Sequence, residues 1–163
     1  MPVSRRNFLG SAGALAALEL ATAPRPGAAA EAASPSIKVG RAKAFKVGVP
    51  VQFSYPDAAA PALAIKLSGP VPGGVGPAHD IVAYSQLCVH KGCPVNFNAQ
   101  REVFMCPCHF TTYDAELSGQ VIIGHATTNL PRIRLTYDAA SDVVTAVGVD
   151  GLIYGRVNNK RMA

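Results

Sequence analysis

The chain is poor in charge: Asp, Glu, Lys and Arg together make up 15% of its 163 residues. Its formal net charge of +5 belongs partly to residues 1–30, which hold Arg5, Arg6, Arg25 and Glu19; without them the charge is +3. No basic patch with interleaved aromatics occurs in the remainder, so no nucleic-acid partner is expected. No segment sustains a 3.6-residue apolar period, which leaves helix a minor component, at most a turn near Ala58–Ala64. Internal repeats are missing, and with them the repeat architectures. Long apolar runs are missing too. The best candidate, Phe8–Ala23, is 16 residues long with Glu19 inside it, short of the roughly 20 residues that a membrane span needs. Cysteines number only four, and all four fall between positions 88 and 108.

What is present is glycine (15) and proline (13), with an apolar fraction of 49%. That composition suits short strands joined by many turns around one core, and the length allows a single domain of about 130 residues behind a leader. Ile37, Val39, Phe45, Val47, Val49, Val51 and Phe53 alternate with polar or small residues, and Leu63, Ile65 and Leu67 continue the two-residue period of half-buried strands. Ser68 to His79 carries too many glycines and prolines for any element. Ile81–Tyr84 and Val103–Met105 are short apolar strands, each leading into a cysteine cluster. Val121–Ile123, Arg132–Tyr137 and Val143–Val149 complete the set, with a turn at Asp138–Asp142. Asp150–Gly151 is the sharpest hairpin signal and pairs the last strand with Leu152–Tyr154. The architecture expected is all-β, with a module at about 79–131 inserted between two runs of strands.

All the chemistry-bearing residues of that module lie in Cys88-Val-His90-Lys-Gly-Cys93 and Cys106-Pro-Cys108-His109. Each half offers one cysteine and one histidine at ligand spacing, with one cysteine left over. Two thiolates and two imidazoles could hold a lone zinc, but structural zinc sites are usually built from paired C-x-x-C or similar halves. The pattern fits better a 2Fe–2S centre in which two histidines replace two cysteines on one iron. His79 and His125 fall outside both halves and are expected to be loop or surface residues.

The two halves, C-x-H-x-G-C and C-P-C-H, resemble the two boxes of the Rieske family at every diagnostic position. The resemblance implies the Rieske fold, an antiparallel β base with an inserted subdomain binding one 2Fe–2S cluster. By position it implies that Cys88 and Cys106 bind one iron and His90 and His109 the other. It further implies a disulfide between Cys93 and Cys108, which electron-transport Rieske proteins usually have and ring-hydroxylating relatives usually lack; the alternative is two buried free thiols. Thr111 and Tyr113 stand where high-potential relatives place a serine and a tyrosine that donate to cluster and cysteine sulfurs. Phe110 replaces a common glycine and is expected to shield the cluster.

Ser4-Arg5-Arg6-Asn7-Phe8-Leu9 and the apolar run behind it resemble a twin-arginine (Tat) export signal, so residues 1–30 are expected to be a leader and the protein periplasmic. Ala28-Ala29-Ala30 offers a cleavage site; a retained leader would be a membrane anchor. Export also suits a disulfide. Ile81–Ser85, the second box with its continuation to Gln120, and Gly124-His-Ala-Thr-Thr-Asn-Leu-Pro131, together with the leader, look like the small subunit of bacterial arsenite oxidase. That family implies a large molybdopterin subunit, itself carrying an iron–sulfur cluster, as catalytic partner and a cytochrome c or cupredoxin as electron acceptor. The chain alone would then oxidise no arsenite. The alternative is the Rieske subunit of a quinol-oxidising cytochrome bc-type complex, which needs a spanning helix that Phe8–Ala23 supplies poorly. A stand-alone Rieske ferredoxin fits the leader and the cysteine pair less well.

Overall fold

The computed structural model describes residues 34–161; the leader, its cleavage site and its anchor reading lie outside the described residues. Ten strands form two antiparallel sheets. They are β1 (Ile37–Arg41), β2 (Val51–Ser54), β3 (Pro61–Lys66), β4 (Ile81–Ser85), β5 (Asn96–Asn98), β6 (Val103–Met105), β7 (Thr112–Asp114), β8 (Gln120–Ile123), β9 (Arg132–Asp138) and β10 (Val143–Asp150). Six of them make a base sheet in the order β1-β10-β9-β4-β3-β2, and β5-β6-β7-β8 make a smaller meander. Strands β4 and β9 pair directly, Ala83 with Ile133 and Tyr84 with Arg132. The whole segment between them, cysteine clusters included, is therefore an insertion between two neighbouring strands of the base. The fold is all-β, as its composition required; among the described residues the one helical element is a single 3-10 turn, Ala42–Ala44.

The centre of the base sheet is covered on both faces. In β3 and β4 the alternation is large against small rather than apolar against polar. Leu63, Ile65, Val82 and Tyr84 face the meander, in one core with Phe104, Tyr113, Leu130 and the cysteines Cys88 and Cys106. Ala62, Ala64, Ile81 and Ala83 face the other way, against Phe45, Tyr55, Ile133 and Val144. Tyr84 ties the two sheets: its hydroxyl donates to the Ala115 carbonyl at 2.8 Å, and its ring meets Phe104 edge-on at 5.2 Å. Burial pushes its pKa up to about 12, against the pull of nearby Arg132, so it remains a donor at neutral pH.

Three sequence expectations need correction. The turn near Ala58–Ala64 is confined to Asp57–Ala60, where Ala60 N–H donates to the Asp57 carbonyl; from Pro61 the chain is strand, because Ala62 and Ala64 are the small residues that let the lower core approach. The alternation from Phe45 to Phe53 yields a strand only from Val51. Gly48, at φ 74°, and Pro50 break the extended run, and Val47 and Val49 are exposed. Gly151 does turn the chain, at φ 86°, but Leu152–Tyr154 form no strand. β9 pairs with β10 out to Asp150 while β1 reaches only Ala146, so the edge beside Gly148–Asp150 is open, yet the chain does not fold back onto it. The segment is held instead by Asn159, which accepts from Ile153 N–H and donates to the Gly151 carbonyl.

Candidate metal centre

Two loops carry the site. The first leaves β4 and folds on itself through Cys88 N–H to the Cys93 carbonyl (2.9 Å) and Gly92 N–H to the Cys88 carbonyl (2.7 Å). Gly92 has φ 74° and lies against the Tyr154 ring, so a side chain there would meet strain and a clash together. The second loop joins β6 to β7, closed by Cys106 N–H to the Thr111 carbonyl (2.8 Å) and Phe110 N–H to the Cys106 carbonyl (3.0 Å). A disulfide between Cys93 and Cys108 ties the loops together, with S–S 2.03 Å and Cα–Cα 6.5 Å. That leaves Cys88 and Cys106 as buried free thiols.

The Cys106 sulfur lies within 4.8 Å of both disulfide sulfurs. Cys93 and Cys108, bonded to each other, have no thiolate to offer, so of those three only Cys106 is available as a ligand. Burial pushes the Cys106 thiol up; backbone N–H groups of Cys108 and His109 favour its anion, while the neighbouring Cys88 opposes it. Two adjacent thiols in an apolar core resist joint ionisation unless a cation lies between them. Tyr113, fully buried, places its hydroxyl 3.1 Å from the Cys88 sulfur. Burial first, then Cys88, raises the Tyr113 pKa; either atom can donate while Cys88 is a thiol, and the phenol would be the donor to a Cys88 thiolate.

The rings of His90 and His109, carried on the same two loops, lie 4.7 Å apart and 78° to one another. His90 Nδ1 is buried and has no hydrogen-bond partner among the described residues. A buried, unpaired ring nitrogen is costly unless something else binds it. Desolvation, then His109, His125 and Lys91, holds the His90 pKa below its ordinary value, which favours the neutral form that a metal binds.

The eight residues singled out in the sequence are thus gathered in one place, but Phe110 is not where it was expected. It is 73% exposed at φ 56°, a conformation disfavoured for a bulky residue, and its ring faces outward rather than covering the centre. His79 lies in an exposed loop, as expected. His125 does not behave as a bystander. Its ring stacks on His90 at 5.5 Å and stands edge-on to His109 at 6.2 Å. Its backbone N–H donates to the buried Thr111 hydroxyl oxygen at 3.1 Å. The one sequence signal for this was Gly124 before it, whose φ of 117° lets the loop press against Thr111.

Residues 38–134 match the Rieske 2Fe–2S domain family. The chain belongs to that family. This Rieske chain is 40% identical to iodate reductase subunit IdrB of Denitromonas iodatirespirans over 165 residues, covering 97% of this chain and 87% of the relative. Likeness to the Rieske iron–sulfur subunit of the cytochrome bc1 complex of Corynebacterium diphtheriae is local: 38% identity over 68 residues, 41% of this chain and 17% of that one. Among solved structures, the soluble domain of Rieske protein II (soxF) from Sulfolobus acidocaldarius superposes with TM-score 0.66 at 24% identity, covering 76% of this chain and 82% of the other, which shows the shared fold. The cofactor of the family is a 2Fe–2S cluster. Two buried free thiols, a facing pair of imidazoles, an orphaned Nδ1 and backbone N–H groups aimed at Cys106 are a donor set that fits it.

Proposed function

We propose that this chain is the electron-transfer subunit of an exported oxidoreductase complex, with Cys88 and Cys106 on one iron of its cluster and His90 and His109 on the other. The observation that carries the reading is the juxtaposition of two buried thiols and two paired imidazoles on loops tied by a disulfide. When bound, the cluster takes up and gives back one electron at a time. The protein supplies the rest. Neutral imidazoles in place of two anionic thiolates lower the negative charge around one iron and make an added electron less costly. Tyr113 donates to the Cys88 sulfur. The Thr111 oxygen accepts from His125 N–H and so keeps its own proton free to donate. The hydrophobic core around Cys88 and Cys106 excludes water, while exposed His109 puts one imidazole where a redox partner can reach it.

The likeness along almost the whole chain to an iodate reductase subunit supports an oxyanion-converting complex. Its catalytic partner would be a large molybdopterin subunit with its own iron–sulfur cluster. Iodate is the substrate favoured here, in place of the arsenite to which the loop motifs and leader pointed. The two reactions run electrons in opposite directions through the same subunit. Reducing iodate consumes electrons and protons and releases water; oxidising arsenite takes up water and releases electrons and protons. A cytochrome c or cupredoxin would deliver electrons in the first case and collect them in the second. The leader's resemblance to a Tat signal supports a periplasmic complex. No helix of the described residues is long and apolar enough to cross a membrane.

The experiment is to isolate the protein from its native host with whatever co-purifies, then follow the cluster's absorbance by stopped flow. The expected result is a molybdenum-containing partner, with which iodate rapidly re-oxidises the reduced cluster, while the chain alone leaves iodate and arsenite untouched. Reduction of the cluster by arsenite through that partner would instead establish the arsenite oxidase reading. A co-purifying cytochrome b and direct reduction by quinol would favour the bc-type alternative, to which the partial likeness to bc1 subunits points.

A further inference from the structure

The His90 ring is held by little of its own. A histidine χ2 is broad and roughly two-fold, so the ring has no strong intrinsic preference for the plane that turns Nδ1 inward. His90 Nδ1 makes no hydrogen bond among the described residues, and His109 touches the ring only edge-on, at 78°. The group that lies flat on it is His125, with centroids 5.5 Å apart and planes 27° from parallel, within the range of stacked aromatic pairs. His125 is itself anchored. Its backbone N–H is bonded to Thr111 Oγ1, Thr111 is fully buried, and Gly124 leaves no side chain to hold the loop off Thr111. The anchor residue closes the loop of the second box, its carbonyl accepting from Cys106 N–H, so the third loop is registered on the same frame as the proposed ligands.

We propose that His125 is a positioning residue for His90: its stacked ring fixes the plane in which His90 presents Nδ1 and covers the outer face of that imidazole. The inference rests on the ligand assignment proposed above. Neither box contains His125, and its action needs only its ring, since the loop is held by backbone rather than by the imidazole nitrogens. A phenyl group in its place should therefore serve, whereas a methyl group should not. His125 is exposed, so removing its side chain opens no cavity in either core.

The test uses the cluster-loaded full chain as wild type, His125→Ala and His125→Phe. Circular dichroism and disulfide mapping should be the same for all three. The reduced His125→Ala protein should show a broadened rhombic electron paramagnetic resonance signal, because the His90 ring is less firmly held, and should lose iron to a chelator several-fold faster. His125→Phe should restore both the line width and the retention of iron. A wild-type line width and iron-loss rate in His125→Ala would overturn the proposal, as would a His125→Phe protein no better than His125→Ala. If the wild type itself lacks a rhombic signal of mixed nitrogen and sulfur ligation, it is the ligand assignment that fails.

Discussion

Tyr113 is fully buried, and the one polar atom of its side chain is 3.1 Å from the Cys88 sulfur. A donor to sulfur stabilises the more negative, reduced state of a cluster held there, so removing it should lower the reduction potential. A single hydrogen bond contributes about 1 kcal/mol net, and about 1.4 kcal/mol corresponds to 59 mV for a one-electron couple. Tyr113→Phe is therefore expected to lower the potential by on the order of 40 mV, with the cluster intact, in a redox titration; an unchanged potential would mean the hydroxyl does not donate to a ligand sulfur. Thr111 has two duties in the structure, accepting from His125 N–H and keeping its own proton available. Thr111→Ser should preserve both and leave the potential near wild type. Thr111→Val should lose both, lowering the potential and also broadening the resonance signal through His125. Equal behaviour of Ser and Val at this position would show that the hydroxyl is irrelevant.

The two cluster loops are hairpin-like turns on different strands, and each holds its own shape through backbone hydrogen bonds between residues 88 and 93 and between 106 and 111. What those bonds do not set is the distance from one loop to the other, which depends on the Cys93–Cys108 bridge and the packing behind it. The bridged cysteines are 15 residues apart, and cross-linking a loop of that size stabilises a fold by about 3 kcal/mol through the unfolded chain. The double variant Cys93→Ser with Cys108→Ser should lose stability of that order in denaturant unfolding of the iron-free protein, and release iron faster when loaded. Wild-type stability and iron retention in the variant would mean that packing alone fixes the spacing. At the same scale, Gly124→Ala places a methyl group against the Thr111 backbone at a φ of 117°. The third loop should shift away, and His125 with it.

Over the whole molecule, the insertion is held to the base by the core between them and by a few directed bonds. Tyr84 belongs to a base strand, and its hydroxyl reaches the Ala115 carbonyl of the insertion. Tyr84→Phe leaves that carbonyl buried without a partner, at a cost of about 1–3 kcal/mol. Ile65→Ala, at a side chain with no exposure in the same core, should cost about 2–5 kcal/mol through lost burial and a residual cavity. Chemical denaturation of the iron-free protein checks both. A loss under about 0.5 kcal/mol for Ile65→Ala, typical of a surface substitution, would mean the two sheets are not packed as one body.

The sequence by itself determined the class of fold, the order of most strands and the chemistry of the centre. Those properties are local: a two-residue apolar period declares a strand wherever it occurs, and ligand type and spacing are written in consecutive residues. The Cys93–Cys108 pair was legible only by resemblance, since four cysteines do not declare their own partners. Tertiary structure decided what depends on contacts between distant segments. Asp150–Gly151 is a strong hairpin signal, but Asn159 bonds Ile153 N–H and the Gly151 carbonyl, and Leu152–Tyr154 became a strap that lays Tyr154 against Gly92. The alanines Ala62 and Ala64, which suggested a helical turn, became the thin side of a strand buried on both faces. His125, separated from His90 by 35 positions and set on neither box, came to the centre because Thr111 offers a buried acceptor and Gly124 allows the backbone close enough to use it.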